Sequence, residues 1–168
     1  MGLHERKIRE DVQPFLDPGE AVLAACIAAP RGFAKATVSR PALNVSTVGV
    51  GERLMGIGEQ QRAEWEADRA GVRLAAPMAV VLTAGRLLTL GIGSPLGLGI
   101  GGRVNEVLSV VPIADVDSVE VQLTGLRKNL TLTVRGIPIE LEANATASTG
   151  ELAQQLERAK GVGRRVAA

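Results

Sequence analysis

A chain of 168 residues is long enough to bury a core of its own, and its one cysteine excludes an internal disulfide. Its 19 basic and 18 acidic residues nearly cancel, so no global charge draws it to nucleic acid, and one Trp, two Phe and no Tyr leave few rings for base stacking. We therefore expect one domain with a core of Val, Leu, Ile and Ala, and no nucleic-acid partner.

The first elements predicted are an amphipathic helix and a strand. Apolar residues at helical spacing define one face over residues 4–16. They are Ile8, Val12, Phe15 and Leu16. The DPGE turn at 17–20 follows, and a strand is predicted from Ala21 to Ala29, with a helix as the alternative because the segment is rich in alanine.

Residues 33–75 are predicted to be a long insertion. The glycines at 49, 51, 56 and 58 argue against a stable isolated helix over 33–58. A helix is predicted from Glu59 to Ala70, with Gly71 as its C-cap. Trp65 is expected to dock this helix on the domain, and the alternative is that it borders a ligand cleft.

The remaining chain alternates as short strands do, until one final helix. Strands joined by tight turns are predicted over residues 78–83, 86–91, 104–111, 117–124, 129–135 and 137–142. Alternation turns Leu123 inward, and Glu140 and Glu142 outward. A capping box beginning at Ser148 predicts a C-terminal helix that ends at Gly161, before a flexible tail over 161–168.

The N-terminal sequence and two uncharged segments are used to predict where in the cell the protein resides. No apolar segment follows the charged N-terminus, so no secretory signal is expected. Residues 74–85 and 87–102 carry no charge, but Arg86 separates them and the second run holds six glycines and a proline, which suit a membrane helix poorly. A cytoplasmic location is predicted, with peripheral contact at the inner face of the membrane as the alternative.

Several short stretches together resemble the bacterial pleckstrin-homology-like (PH-like) domains, particularly those of actinobacterial type. These stretches are DPGE at 17–20, VLT at 81–83 with RLL at 86–88, VPI at 111–113, DSVEV at 117–121, the alternating hairpin at 129–142 and the helix at 148–160. The likeness covers residues 17–160. Ala84-Gly85 replaces the acidic or polar residue common in that turn, and the insertion over 33–75 is long.

The resemblance implies a mainly β (α+β) fold: a partly open antiparallel barrel of about seven strands, a C-terminal capping helix, and extra N-terminal and inserted helices. It also implies a binding or assembly scaffold with no shared catalytic residues. The leading interpretation is a non-catalytic module that contacts a protein partner or a second copy of itself, with no cofactor. The alternatives are a membrane-surface or phospholipid-headgroup binder and, less favoured, a nucleotide binder.

Candidate contact residues come from two kinds of segment. Arg127 and Lys128 form the best basic turn, which suits an anionic headgroup or other ligand. Apolar residues of the segments 43–58 and 91–102 have no evident core to enter, so they are predicted to contact protein. They are Leu54, Met55, Ile57, Leu96, Leu98 and Ile100.

Motifs that would carry chemistry are weak in this chain. Residues 97–102 fit G-x-G-x-x-G, but the sequence that follows suits a strand rather than the helix that dinucleotide binding requires. The carboxylates Glu140 and Glu142 are interpreted as a solvated face. Cys26 is expected to be a buried small hydrophobe, and no metal site is predicted.

Overall fold

The computed structural model describes residues 3–34, 47–93, 102–125, 127–144 and 147–166, which form seven strands and the helices named here. The strands are β1 (Val22–Pro30), β2 (Met78–Thr83), β3 (Arg86–Gly93), β4 (Arg103–Pro112), β5 (Val116–Thr124), β6 (Arg127–Val134) and β7 (Ile137–Asn144). The helices are α1 (Leu3–Val12), α2 (Thr47–Arg69) and α3 (Thr149–Val166), with short 3-10 turns at Gln13–Phe15 and Ile113–Asp115.

The strands form one partly open antiparallel sheet in the order β4-β3-β2-β1-β7-β6-β5. Strand β1 joins its two halves, because residues 22–28 pair with β2 while Ala29 and Pro30 pair with β7. Strands β4 and β5 are the two edges. The fold is therefore mainly β, with helices packed on the sheet.

Both faces of the central strands are buried, and this explains their uninterrupted apolar sequences. All six residues of β2 are buried, with Val80 and Leu82 in the main core and Ala79 and Val81 in a second cluster on the other face. Leu152 and Leu156 of α3 enter the main core, and Ile8 and Val12 of α1 enter the second cluster. Each helix stripe predicted from the sequence thus covers one face of the sheet.

Arg9 fastens the first helix to the rest of the fold. Its guanidinium donates to the carbonyl oxygens of Val22 (2.6 Å) and Leu23 (3.1 Å) and lies 3.6 Å from a carboxylate oxygen of Glu151. One side chain therefore links α1 with β1 and with the first turn of α3.

The largest difference between the sequence-based prediction and the structure lies in helix α2. The predicted helix over 59–70 begins instead at Thr47, so the glycine-rich stretch before Glu59 is helical. The reason is packing: Gly56 is buried, and its backbone approaches Gly32 so closely that a Cβ on Gly32 would overlap it. Tertiary contact overrides the low helix propensity of glycine. Gly71 does end the helix as predicted, with φ +71°.

The other strand and helix predictions are confirmed, with local corrections. The strand expected at 21–29 is β1, and Cys26 in it is buried. Leu123 is exposed rather than turned into the core. Helix α3 continues past the predicted end at Gly161 to Val166.

Candidate interaction surfaces

A polar cluster ties the DPGE turn to the end of the β2–β3 hairpin. The guanidinium of Arg86 donates two hydrogen bonds to the carboxylate of Glu20, at 2.9 and 2.6 Å, and lies 3.1 Å from a carboxylate oxygen of Asp17. The Thr83 hydroxyl donates to the same Glu20 carboxylate at 2.6 Å. Two of the stretches that resemble the PH-like domains, 17–20 and 81–83 with 86–88, thus contact each other through these side chains.

The electrostatics of this cluster favour a charged Glu20. The hydrogen bond from Arg86 is the main cause that lowers the pKa of Glu20 from 4.5 to about 2, against the opposing effect of burial, and the Thr83 hydroxyl and the Asp17 backbone N–H lower it further. The same contact raises the pKa of Arg86. The Glu20 side chain is only 13% exposed, so this cluster contributes to folding stability rather than offering a free charge.

We expect this cluster to make the protein acid-labile. Glu20 has a lower pKa in the folded than in the unfolded chain, so its contribution is fully present above about pH 4.5 and is lost as the pH falls toward 2. The loss amounts to about 2 kcal/mol after allowance for screening at the surface. Denaturant unfolding between pH 6 and pH 2.5 measures it. Glu20→Gln should be less stable at pH 6 and lose less on acidification; equal acid dependence of the two proteins would contradict this assignment.

Glu142 was predicted to face solvent, but it is buried. Its carboxylate accepts hydrogen bonds from the backbone N–H groups of Gly32 (3.2 Å) and Ala34 (2.6 Å), and Arg127 lies 3.8 Å away. Ala34, Arg127 and Glu142 line part of a shallow cleft of about 220 Å³ beside β1 and β7. Glu142 therefore anchors the segment after β1, and its neighbour on the strand, Glu140, pairs with Arg31 at 2.8 Å.

The predicted basic turn has a different form. Gly125 turns the chain with φ +61°, but Arg127 and Lys128 lie in β6. The ammonium group of Lys128 donates to the carbonyl oxygen of Ala147 at 2.6 Å. Both cations are only half-exposed and have contacts within the fold, so neither extends freely toward a headgroup.

Helix α2 has two unlike faces. One consists of small residues and is buried, where the helix contacts β7 and β1. It includes Gly56, Ala63 and Ala67. The other face points to solvent and carries large apolar side chains: Leu54 is 64% exposed, Met55 62% and Ile57 39%. All three predicted contact residues are thus accessible, with Met55 and Ile57 on either side of Leu54 around the helix.

Trp65 belongs to the same exposed surface, which contradicts the expectation that it docks the helix. Its side chain is 59% exposed, and the guanidinium of Arg69 lies 4.7 Å from its ring centroid. Sequence reasoning missed this because it began the helix at Glu59. A helix that starts at Thr47 puts Leu54 and Trp65 eleven residues apart, three helical turns, and so on one face.

The other predicted contact residues, Leu96, Leu98 and Ile100, lie outside the described residues, as does most of the 97–102 glycine motif. In the ranges that are described, no three His, Cys, Asp or Glu side chains are placed to share a metal ion. Among the described helices, none has the length and apolar character needed to cross a membrane.

Comparison with protein-family models and with curated proteins finds no match for this chain. Its surfaces must therefore be interpreted from their own geometry. In the part of the chain described, the solvent face of α2 carries three large side chains, Leu54, Met55 and Trp65, that are each about 60% exposed.

Proposed function

We propose that this chain is a non-catalytic binding or scaffold module of the PH-like type, which acts through protein contacts, self-association included. The fold part of the proposal is supported by seven antiparallel strands followed by a helix whose Leu152 and Leu156 enter the core. It is also supported by the Glu20–Arg86 contact, which joins two of the stretches that resemble the family. A cytoplasmic location is proposed with it, on the sequence alone.

The observation that carries the functional part is the solvent face of α2. Leu54, Met55 and Trp65 expose large apolar side chains while the opposite face of the same helix already anchors it to the sheet. Binding of a partner over apolar surface of this kind is favourable, because it removes that surface from water. A protein is the partner that fits, because the surface is a helical stripe rather than a pocket.

The phospholipid alternative has less support. It was predicted from Arg127 and Lys128, whose cationic groups already contact Glu142 and the Ala147 carbonyl. Two cations contribute only about 2 kcal/mol to attraction by an anionic membrane even when both are free. Lipid binding is therefore kept as an outcome of the test.

The test compares three tagged forms of the full chain by quantitative co-purification from cells after cross-linking. They are the wild type, Leu54→Ser/Met55→Ser, and Val110→Ser as a control at an exposed apolar position of β4. We expect at least one protein, or a second copy with a different tag, to be retained by wild type and control and to fall at least tenfold with the α2 variant.

The following results would contradict the proposed protein contact. If no protein depends on Leu54 and Met55, the proposal of an α2-mediated contact fails. If anionic vesicles then bind the chain and Arg127→Ala/Lys128→Ala abolishes that binding, the headgroup alternative replaces it.

A further inference from the structure

Two glycines of α2 are not needed by the fold of one chain. A Cβ at Gly51 or at Gly58 would meet no atom within 4 Å, so neither position is crowded. Glycine inside a helix nevertheless destabilises it relative to alanine. Both glycines are exposed, on the opposite side of the helix from buried Gly56. Close approach by another backbone is a physical reason to keep glycine at such positions.

The exposed face of α2 also has the spacing of a helix-pairing seam. Five exposed residues follow one another at intervals of three, four, three and four. They are Gly51, Leu54, Gly58, Gln61 and Trp65, and the exposed Asp68 continues the same spacing. This is the heptad spacing by which one helix packs along another. Within the seam, the N-terminal part consists of Leu54 between two glycines, whereas Trp65 is a large side chain near the C-terminal end.

We propose that α2 pairs antiparallel with α2 of a second copy of this chain, which names the partner in the function proposed above and rests on it. A two-fold axis near the middle of the helix places Trp65 against the second copy's Leu54, between its two exposed glycines, and places Gln61 against the second copy's Gly58. Knob and socket lie on the same helix, so the surface is complementary to itself, as an isologous interface requires.

Shape favours the antiparallel arrangement, and charge does not oppose it. In that register Arg62 lies beside the second copy's Met55, and Glu64 lies beside its Ile57, so no charged residue of the seam borders faces a like charge. A parallel pair would instead place Trp65 opposite Trp65 and Gly58 opposite Gly58, so the large side chain would not pack between the two glycines. The contact is mainly apolar and should therefore persist when salt is raised.

The single tryptophan of the chain lies in the proposed contact, so it reports on the contact directly. Light scattering after size exclusion should show a dimer at micromolar concentrations, at both 50 mM and 500 mM salt. Trp65 emission should shift to the blue as the concentration rises, because its ring leaves water on pairing. A monomer with unshifted emission throughout the accessible concentration range would overturn the proposal.

Two variants test the register, with one control. Leu54→Lys should raise the dimer Kd at least tenfold, and Val110→Lys, at the exposed position of β4, should leave it unchanged. Gly58→Ala should also raise Kd at least tenfold while raising the thermal midpoint of the isolated monomer, because alanine strengthens the helix but blocks close approach. A dimer that resists both α2 variants uses another surface, and the proposal is then wrong.

The two proposals fail in distinguishable ways. A strict monomer that still captures a different protein through Leu54 and Met55 keeps the binding-module function and removes the self-pairing. A monomer with no such capture removes both.

Discussion

Replacing Gly32 by alanine should lower the free energy of unfolding by about 3 kcal/mol. A Cβ at this position would overlap the carbonyl oxygen of Gly56 and lie 2.8 Å from the Cβ of Glu59. Backbone atoms cannot move aside as a flexible side chain can, so α2 would have to shift away from the sheet. The residue also has φ +88°, a conformation that disfavours side chains.

Gly136→Ala is the matched control for this change. Gly136 also has positive φ, +76°, but a Cβ there would meet nothing within 4 Å. Its replacement should therefore cost only the strain of a side chain at positive φ, about 1 kcal/mol. Urea unfolding followed by circular dichroism measures both variants. Equal losses for the two would mean that the Gly32–Gly56 contact does not hold α2 in place.

Replacing Arg86 by alanine should cost about 2 to 3 kcal/mol. The change removes both hydrogen bonds to Glu20 and leaves that carboxylate, 13% exposed, with only its Thr83 and Asp17 backbone partners. Removal of one partner from a largely buried ion pair is costly because the remaining charge has lost its compensation. The DPGE turn would also lose its attachment to the β2–β3 hairpin.

Arg31→Ala provides the comparison. Arg31 contacts Glu140 at a similar distance, 2.8 Å, but the two side chains are 37% and 42% exposed. Water screens such a pair, so its loss should cost about 0.5 kcal/mol or less. Chemical unfolding at pH 7 separates the two cases; a cost for Arg86→Ala no greater than that for Arg31→Ala would show that burial does not strengthen the Glu20 cluster.

The predicted contact residues show how far sequence reasoning reaches toward a site. Leu54, Met55 and Ile57 were selected because no core was evident for them, and the fold leaves them exposed; their role in binding stays a prediction. Trp65, which extends the same surface, was expected to dock the helix on the domain, because the glycines before Glu59 argued against the longer helix that the structure has. Arg127 and Lys128 were placed in a turn, since the sequence does not show that β6 begins at Arg127.

Local chemistry in the sequence by itself determined most of the sheet. The alternation in β5, β6 and β7, the glycine turn between the last two strands and the capping box before α3 act over a few residues, so they are readable without the fold. Only the tertiary structure decided the rest. The helical start of α2, the burial of Glu142 and the exposure of Trp65 depend on contacts between residues far apart in the chain, above all Gly32 with Gly56 and Gly32 N–H with Glu142. The spacing of apolar residues carries no information about such contacts, because they exist only once β1 has joined the two halves of the sheet.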